Sequence, residues 1–245
     1  MKTIVYLIRH SVRFNNEYIV EFNTSQNKYL KDEKVVLSVE GEKRAEILSN
    51  ENELQNLDVI YASNCVRTLQ TAKYIIEKQN LKVNIDERFD ERKPGKDVNM
   101  KKSDWLKCQY LDENFKTEGG ESQKDVRERF SEAFYKILEN NKGKRIAIFS
   151  HGYAITFFIM KWCKFEYVDE KDDFIFTFKD KEIFNGKVNA PEVFKLEFDE
   201  NNELIDINNI EFEDLPYRDG MGKIWKNWKR KSNTKTIWRR WWNWC

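Results

Sequence analysis

Residues 3–8 (TIVYLI) form a continuous apolar run without polar alternation, the pattern of a strand covered on both faces in a parallel sheet. A polar loop, 11–34, follows. Ser38 is placed to cap a helix running to Leu48, with Ala45 and Leu48 at helical spacing. Residues 57–61 (LDVIY) read as a second strand. Ser63 is expected to cap the next helix, where Val66, Leu69, Ala72 and Ile76 recur at helical intervals. Residues 82–85 are a short third strand. Ser122 and Asp125 make an S-x-x-D helix start, and Val126, Phe130, Ala133, Phe134, Ile137 and Leu138 then fall on one stripe. Gly143 ends that helix. Residues 145–149 (RIAIF) are another buried strand, followed by an apolar helix over 153–162. An irregular acidic and aromatic stretch comes next, and then a hairpin of Val193–Phe198 and Leu204–Ile210 around residues 199–202.

Strands alternating with helices predict an α/β protein: three layers, α/β/α, around a mostly parallel central sheet. In such sheets ligands bind beyond the carboxyl ends of the strands. The 245 residues are 40% hydrophobic and 14% aromatic, enough to fill a core, which excludes disorder for most of the chain. No run approaches about 18 apolar residues, so no transmembrane helix is expected. The first apolar run meets Arg9 and His10 too early for a secretory signal, and the expected location is cytoplasmic. The four cysteines (Cys65, Cys108, Cys163, Cys245) show no C-x-x-C pairing, which argues for free thiols rather than disulfides or zinc.

Charge divides the chain in two. The whole has 43 Lys and Arg against 42 Asp and Glu, but residues 223–245 hold eight of those bases and no acid. That leaves 35 bases against 42 acids in 1–222, a net of −7. Six of the eight tryptophans also lie in 223–245. We therefore expect a folded domain over 1–222 and a basic, Trp-rich tail over 223–245. Such a tail can bind anionic surfaces, membrane or nucleic acid; a loosely docked extension is the plainer expectation, and no nucleic acid is expected for the core.

Only two histidines occur, and each directly follows a buried strand: His10 after Arg9, and His151 between Ser150 and Gly152. Arg13 lies three residues beyond His10, and Arg67 falls in the first turn of the helix after the second strand. The guanidinium fork suits phosphate oxygens, and helix N-termini add N–H donors. These residues describe an anion pocket containing titratable nitrogens. Taken singly, Arg67 reads as a surface ion pair and either histidine as a residue filling a hydrogen-bonding slot.

The ordered motifs resemble the histidine phosphatase superfamily, which includes cofactor-dependent phosphoglycerate mutases. Arg9-His10 resembles its R-H signature, and Asn16 matches the asparagine of R-H-G-E-x-x-x-N loops. Leu37 to Gly41 with Ala45 resemble L-[ST]-x-x-G-x-x-x-A. Ser63, Arg67, Gln70, Thr71 and Ala72 are similar to S-S-P-x-x-R-x-x-Q-T-A, with Asn64 in place of proline. Gly120-Glu121-Ser122, Ser150-His151-Gly152 and Asn189-Ala190-Pro191 resemble later family segments, so the likeness spans about 1–212. One departure stands beside His10: R-H-G-[ED] is R-H-S-V here, with Ser11 and Val12.

The resemblance implies a phosphoglycerate mutase-like fold and a phosphatase acting on phosphate monoesters through a phosphohistidine on His10. Arg9, Arg67 and a protonated His151 would hold the phosphoryl oxygens, with Asn16 and Arg13 assisting. A carboxylic acid after the third strand would protonate the leaving group. Glu91 is chosen from the run Asp86, Glu87, Asp90, Glu91, with Asp90 the fallback. No metal ion and no cofactor are implied, and the expected partner is a phosphorylated small molecule. The altered loop favours hydrolysis over mutase-type transfer; a phospho-ligand module without turnover is the rival from another class. The segment 92–107, with six bases and two acids, is placed to cover the pocket mouth and favour substrates with further negative charge.

Overall fold

The computed structural model describes residues 1–14, 32–96, 99–168 and 173–218. Its central sheet has six strands in the order β3-β2-β4-β1-β8-β9: β1 (Thr3–Arg9), β2 (Val59–Ala62), β3 (Val83–Ile85), β4 (Arg145–Ser150), β8 (Val193–Phe198) and β9 (Leu204–Ile210). The first four are parallel to one another, and β8 and β9 add an antiparallel edge beside β1.

The unbroken apolar run of β1 is explained by its two covers. Val5 and Leu7 pack with Phe130, Phe134 and Phe158 of helices α4 (Gln123–Asn140) and α5 (Gly152–Ile159). Tyr6 and Ile8 pack on the opposite face with Leu48 of α1 (Val39–Leu48) and Ala72 and Ile75 of α2 (Val66–Gln79). β4 divides its side chains the same way. The three-layer α/β/α arrangement with a mostly parallel sheet is thus the observed one.

Two helix starts form as their sequences dictate. The Ser38 hydroxyl accepts from the Gly41 N–H, and Ser122 with Asp125 closes a reciprocal capping box. Ser63 differs from expectation. The helix cap is Cys65, without a side-chain bond, and the Ser63 hydroxyl is turned toward His151 instead. The stretch after α5, expected to be irregular, is a three-stranded antiparallel sheet of β5 (Lys164–Val168), β6 (Asp173–Phe178) and β7 (Lys181–Gly186). Phe174, Phe176 and Phe178 alternate inward from β6 and extend the core under α4 and α5. A further helix, α3 (Lys102–Leu111), begins within the basic segment and runs past its end. Among the described residues, no helix is long and apolar enough to cross a membrane. The 223–245 tail lies outside the described residues.

Candidate active site

β1 and β4 are adjacent and parallel, with Arg9 opposite Ser150, so the next residue of each strand reaches the same rim. The His10 N–H donates to the Ser150 carbonyl at 3.0 Å. The rings of His10 and His151 stand edge to face, centroids 5.2 Å apart. Two residues 141 positions apart in sequence thus come within the span of one phosphoryl group.

The ring tautomers follow from their partners. His10 Nδ1 lies 2.7 Å from the Ser11 carbonyl oxygen, which can only accept. Nδ1 therefore carries the proton, and Nε2 keeps its lone pair. For His151 the partners are reversed. The Arg67 guanidinium can only donate, so His151 Nδ1 accepts from Arg67 Nη2 at 3.0 Å, and Nε2–H donates to Ser63 Oγ at 2.8 Å. Burial, and then the charge of Arg67, push both histidines well below the usual imidazole range. In the ligand-free protein the His151 ring is therefore neutral, and the protonated ring that the resemblance implies belongs to the phosphoryl-bound state.

Arg67 comes from the first turn of α2 with its side chain 2% exposed. Its Nη1 donates to the Asp32 carbonyl at 2.6 Å and its Nη2 to Asp32 Oδ2 at 2.9 Å, while Nε is buried without a hydrogen-bond partner. Arg9 reaches across to the chain before β8. Its Nη1 donates to the carbonyls of Val188 and Asn189, and its Nε is likewise buried and unpartnered. Gly152 makes room for it, since a Cβ there would sit 3.2 Å from Arg9 Nε. Arg13 bridges to Leu37 through its backbone and places Nη1 3.8 Å from Asp32 Oδ1. Burial and the neighbouring Arg67 lower its pKa. Asn16 lies outside the described residues.

Both candidate acids come from the turn after β3. Glu91 is fixed on the first turn of α5, accepting from Arg92 N at 2.9 Å, Ala154 N at 3.1 Å and Tyr153 N at 3.4 Å. Asp90 accepts the Asn64 N–H at 3.1 Å, a donor that proline at this position would lack. Burial raises the Asp90 carboxyl to about 6, against the opposing Asn64 N–H and Arg129. Asp90, Cys65 and His151 bring a carboxylate oxygen, a sulfur and a ring nitrogen within 4.8 Å of one another, the donor set of a small metal site. The Arg67 cation bonded to that same histidine opposes a metal ion there, and burial holds the Cys65 thiol up at about 12.

Sequence reasoning missed three participants. Ser63 was read as a helix cap. Asp32 lies in an unmarked polar segment, with no signal to single it out. The Asn64–Asp90 bond had a trace only in the missing proline. Beside Glu91, the Arg92 guanidinium lies 4.7 Å from the Trp105 ring centroid, and Tyr110 of α3 stacks on Tyr153 at 5.8 Å.

A parallel sheet that delivers two imidazoles and clustered guanidiniums to one rim is the architecture of a phosphoglycerate mutase-like α/β protein. The chain belongs to the histidine phosphatase superfamily (branch 1), whose pattern matches residues 5–172. Among solved structures, it is similar to a mycobacterial glucosyl-3-phosphoglycerate phosphatase complexed with VO3, with a TM-score of 0.58 at 17% identity over 85% of this chain and 98% of that one. "Mycobacterial hydrolase 1" gives 0.57 at 16% identity, covering 86% of this chain and 100% of the other. Phosphoglycerate mutase from Bacillus anthracis str. Sterne gives 0.55 at 15% identity over 85% and 92%. No curated protein matches the chain.

Proposed function

We propose that this chain hydrolyses phosphate monoesters through a phosphohistidine on His10. The observation that carries this reading is the hydrogen bond from His10 Nδ1 to the Ser11 carbonyl, which leaves Nε2 a lone pair beside clustered arginines and a second imidazole. In the first step Nε2 bonds to phosphorus, and the P–O bond to the leaving group breaks. The alkoxide takes a proton from Glu91, held on the first turn of α5. In the second step water attacks phosphorus, its proton passes to the same carboxylate, and the P–N bond breaks to release inorganic phosphate. Arg9 and Arg67 hold the equatorial oxygens, and His151 joins them when its Nε2–H turns from Ser63 to the phosphoryl group; electrostatic stabilisation dominates phosphoryl transfer. No step calls on a metal ion, so activity is expected to persist in EDTA.

The loop after the nucleophile supports hydrolysis rather than mutase transfer. Val12 is buried, and its carbonyl accepts the Ser38 N–H, so a packed apolar residue stands where the family usually places an acid. Accordingly 2,3-bisphosphoglycerate is expected not to phosphorylate the protein.

Rapid quenching with p-nitrophenyl phosphate is expected to trap one acid-labile phosphate per chain, and His10→Ala to abolish both the trapped phosphate and turnover. Full activity of His10→Ala would end the nucleophile assignment. Glu91→Gln is expected to slow alkyl phosphates about 10²-fold or more, and p-nitrophenyl phosphate much less, because only the poorer leaving group needs the proton. If Asp90→Asn shows that leaving-group dependence and Glu91→Gln does not, Asp90 is the acid.

A further inference from the structure

Asp32 meets Arg67 at two points, through its carbonyl at 2.6 Å and its carboxylate at 2.9 Å. The other carboxylate oxygen is the one 3.8 Å from Arg13. One carboxylate thus divides its two oxygens between two arginines of the site, as two oxygens of a phosphoryl group would. Both hydrogens of Arg67 Nη2 are committed, one to Asp32 and one to His151. We propose that Asp32 is a tethered competing anion that occupies the phosphoryl seat of the ligand-free protein and must be displaced by substrate. This rests on the catalytic reading above.

The exposure of the two partners indicates which of them moves. Arg67 is 2% exposed and anchored on a helix; Asp32 is 43% exposed and faces solvent. A buried cation needs a partner, and the carboxylate provides one until a dianion with more charge and three oxygens arrives. While Asp32 is seated, only the remaining fraction of molecules is competent to bind, so apparent affinity falls by that fraction. KM and the inhibition constant for product phosphate rise together. The step after displacement is unaffected, because Asp32 is already out of the seat in the complex. When hydrolysis is complete, return of the carboxylate helps expel phosphate.

The test is binding of inorganic phosphate and vanadate to the full chain by calorimetry, with turnover of p-nitrophenyl phosphate alongside. Asp32→Ala is expected to bind phosphate about tenfold more tightly, with KM falling in step. Asp32→Asn, which keeps the shape and removes the charge, is expected to move the same way. Phosphate is also expected to raise the melting temperature of Asp32→Asn more than that of the parent, a readout that survives partial destabilisation. Unchanged or weaker phosphate binding in both variants overturns the proposal, and weaker binding would make Asp32 a residue that positions Arg67. Tighter binding with no phosphohistidine in the parent would remove the catalytic reading alone. Phosphohistidine with unchanged affinity would remove this one alone.

Discussion

At the scale of the residue, burial sets the protonation of the site in opposite senses for its imidazoles and for Asp90. His10 and His151 are 5% and 0% exposed, and desolvation beside arginines keeps both rings neutral. The same desolvation makes Asp90 hold its proton to about pH 6. In the unfolded chain Asp90 releases that proton near ~3.9. Between those values the native state binds more protons than the unfolded one, so the Asp90 contribution to stability is greatest below pH 4 and is lost as pH rises through 6. Asp90→Asn keeps an acceptor for the Asn64 N–H and never ionises. Its melting temperature, measured by scanning calorimetry, is expected to gain on the parent from pH 4 to about 6.5 and then to hold a constant lead. Parallel curves for the two proteins would remove this account. The histidines, Arg9 and Arg67 were legible in sequence because each sits at an element boundary that pattern alone could place. Asp32 was not, since its meaning lies in a contact with Arg67, 35 positions away, that no local pattern encodes.

At the scale of the element, the site depends on how closely its loops can approach. A Cβ at Gly41 would overlap the carbonyl oxygen of Val12, in the segment that carries His10 and Arg13. Gly41→Ala is therefore expected to cost about 1–3 kcal/mol in urea unfolding and to lower turnover, as the His10 loop is pushed outward. Unchanged stability with full activity would mean that the loop yields freely there. The long helix α4 was readable because its stripe and capping box agree. β6 carried the same clarity in Phe174, Phe176 and Phe178, but the flanking acids hid the alternation from a reading that expected a loop. α3 was hidden for a different reason. Its apolar residues do not gather on one face; Leu111 is 60% exposed while Tyr110 is buried in a cluster with Phe165, Tyr167 and Phe174. Tertiary stacking rather than periodicity holds it.

At the scale of the whole molecule, the body of the chain and the arginine site have opposite sign. Residues 1–222 net −7, yet Arg9, Arg13 and Arg67 converge on one rim. A cluster of one sign in a body of the other draws anions to a single place and repels them elsewhere. kcat/KM for p-nitrophenyl phosphate is expected to fall several-fold as ionic strength rises from about 0.02 to about 0.3 M, where the screening length shrinks to under ~10 Å. A rise instead would mean that the acidic body, rather than the arginine rim, governs approach. The layered architecture was legible from the alternation of strands and helices. The antiparallel edge was legible only as a hairpin, because nothing local in 193–210 says that it docks on β1.

The strand order also has a temporal side. β1 is synthesised before both of its sheet neighbours, residues 145–150 and 193–198. Until those are synthesised, its apolar segment has no native edge to join, and such unpaired strands are exposed to aggregation. A nascent chain halted before residue 145 would hold His10 and lack His151, so the two imidazoles can meet only once β4 has been made.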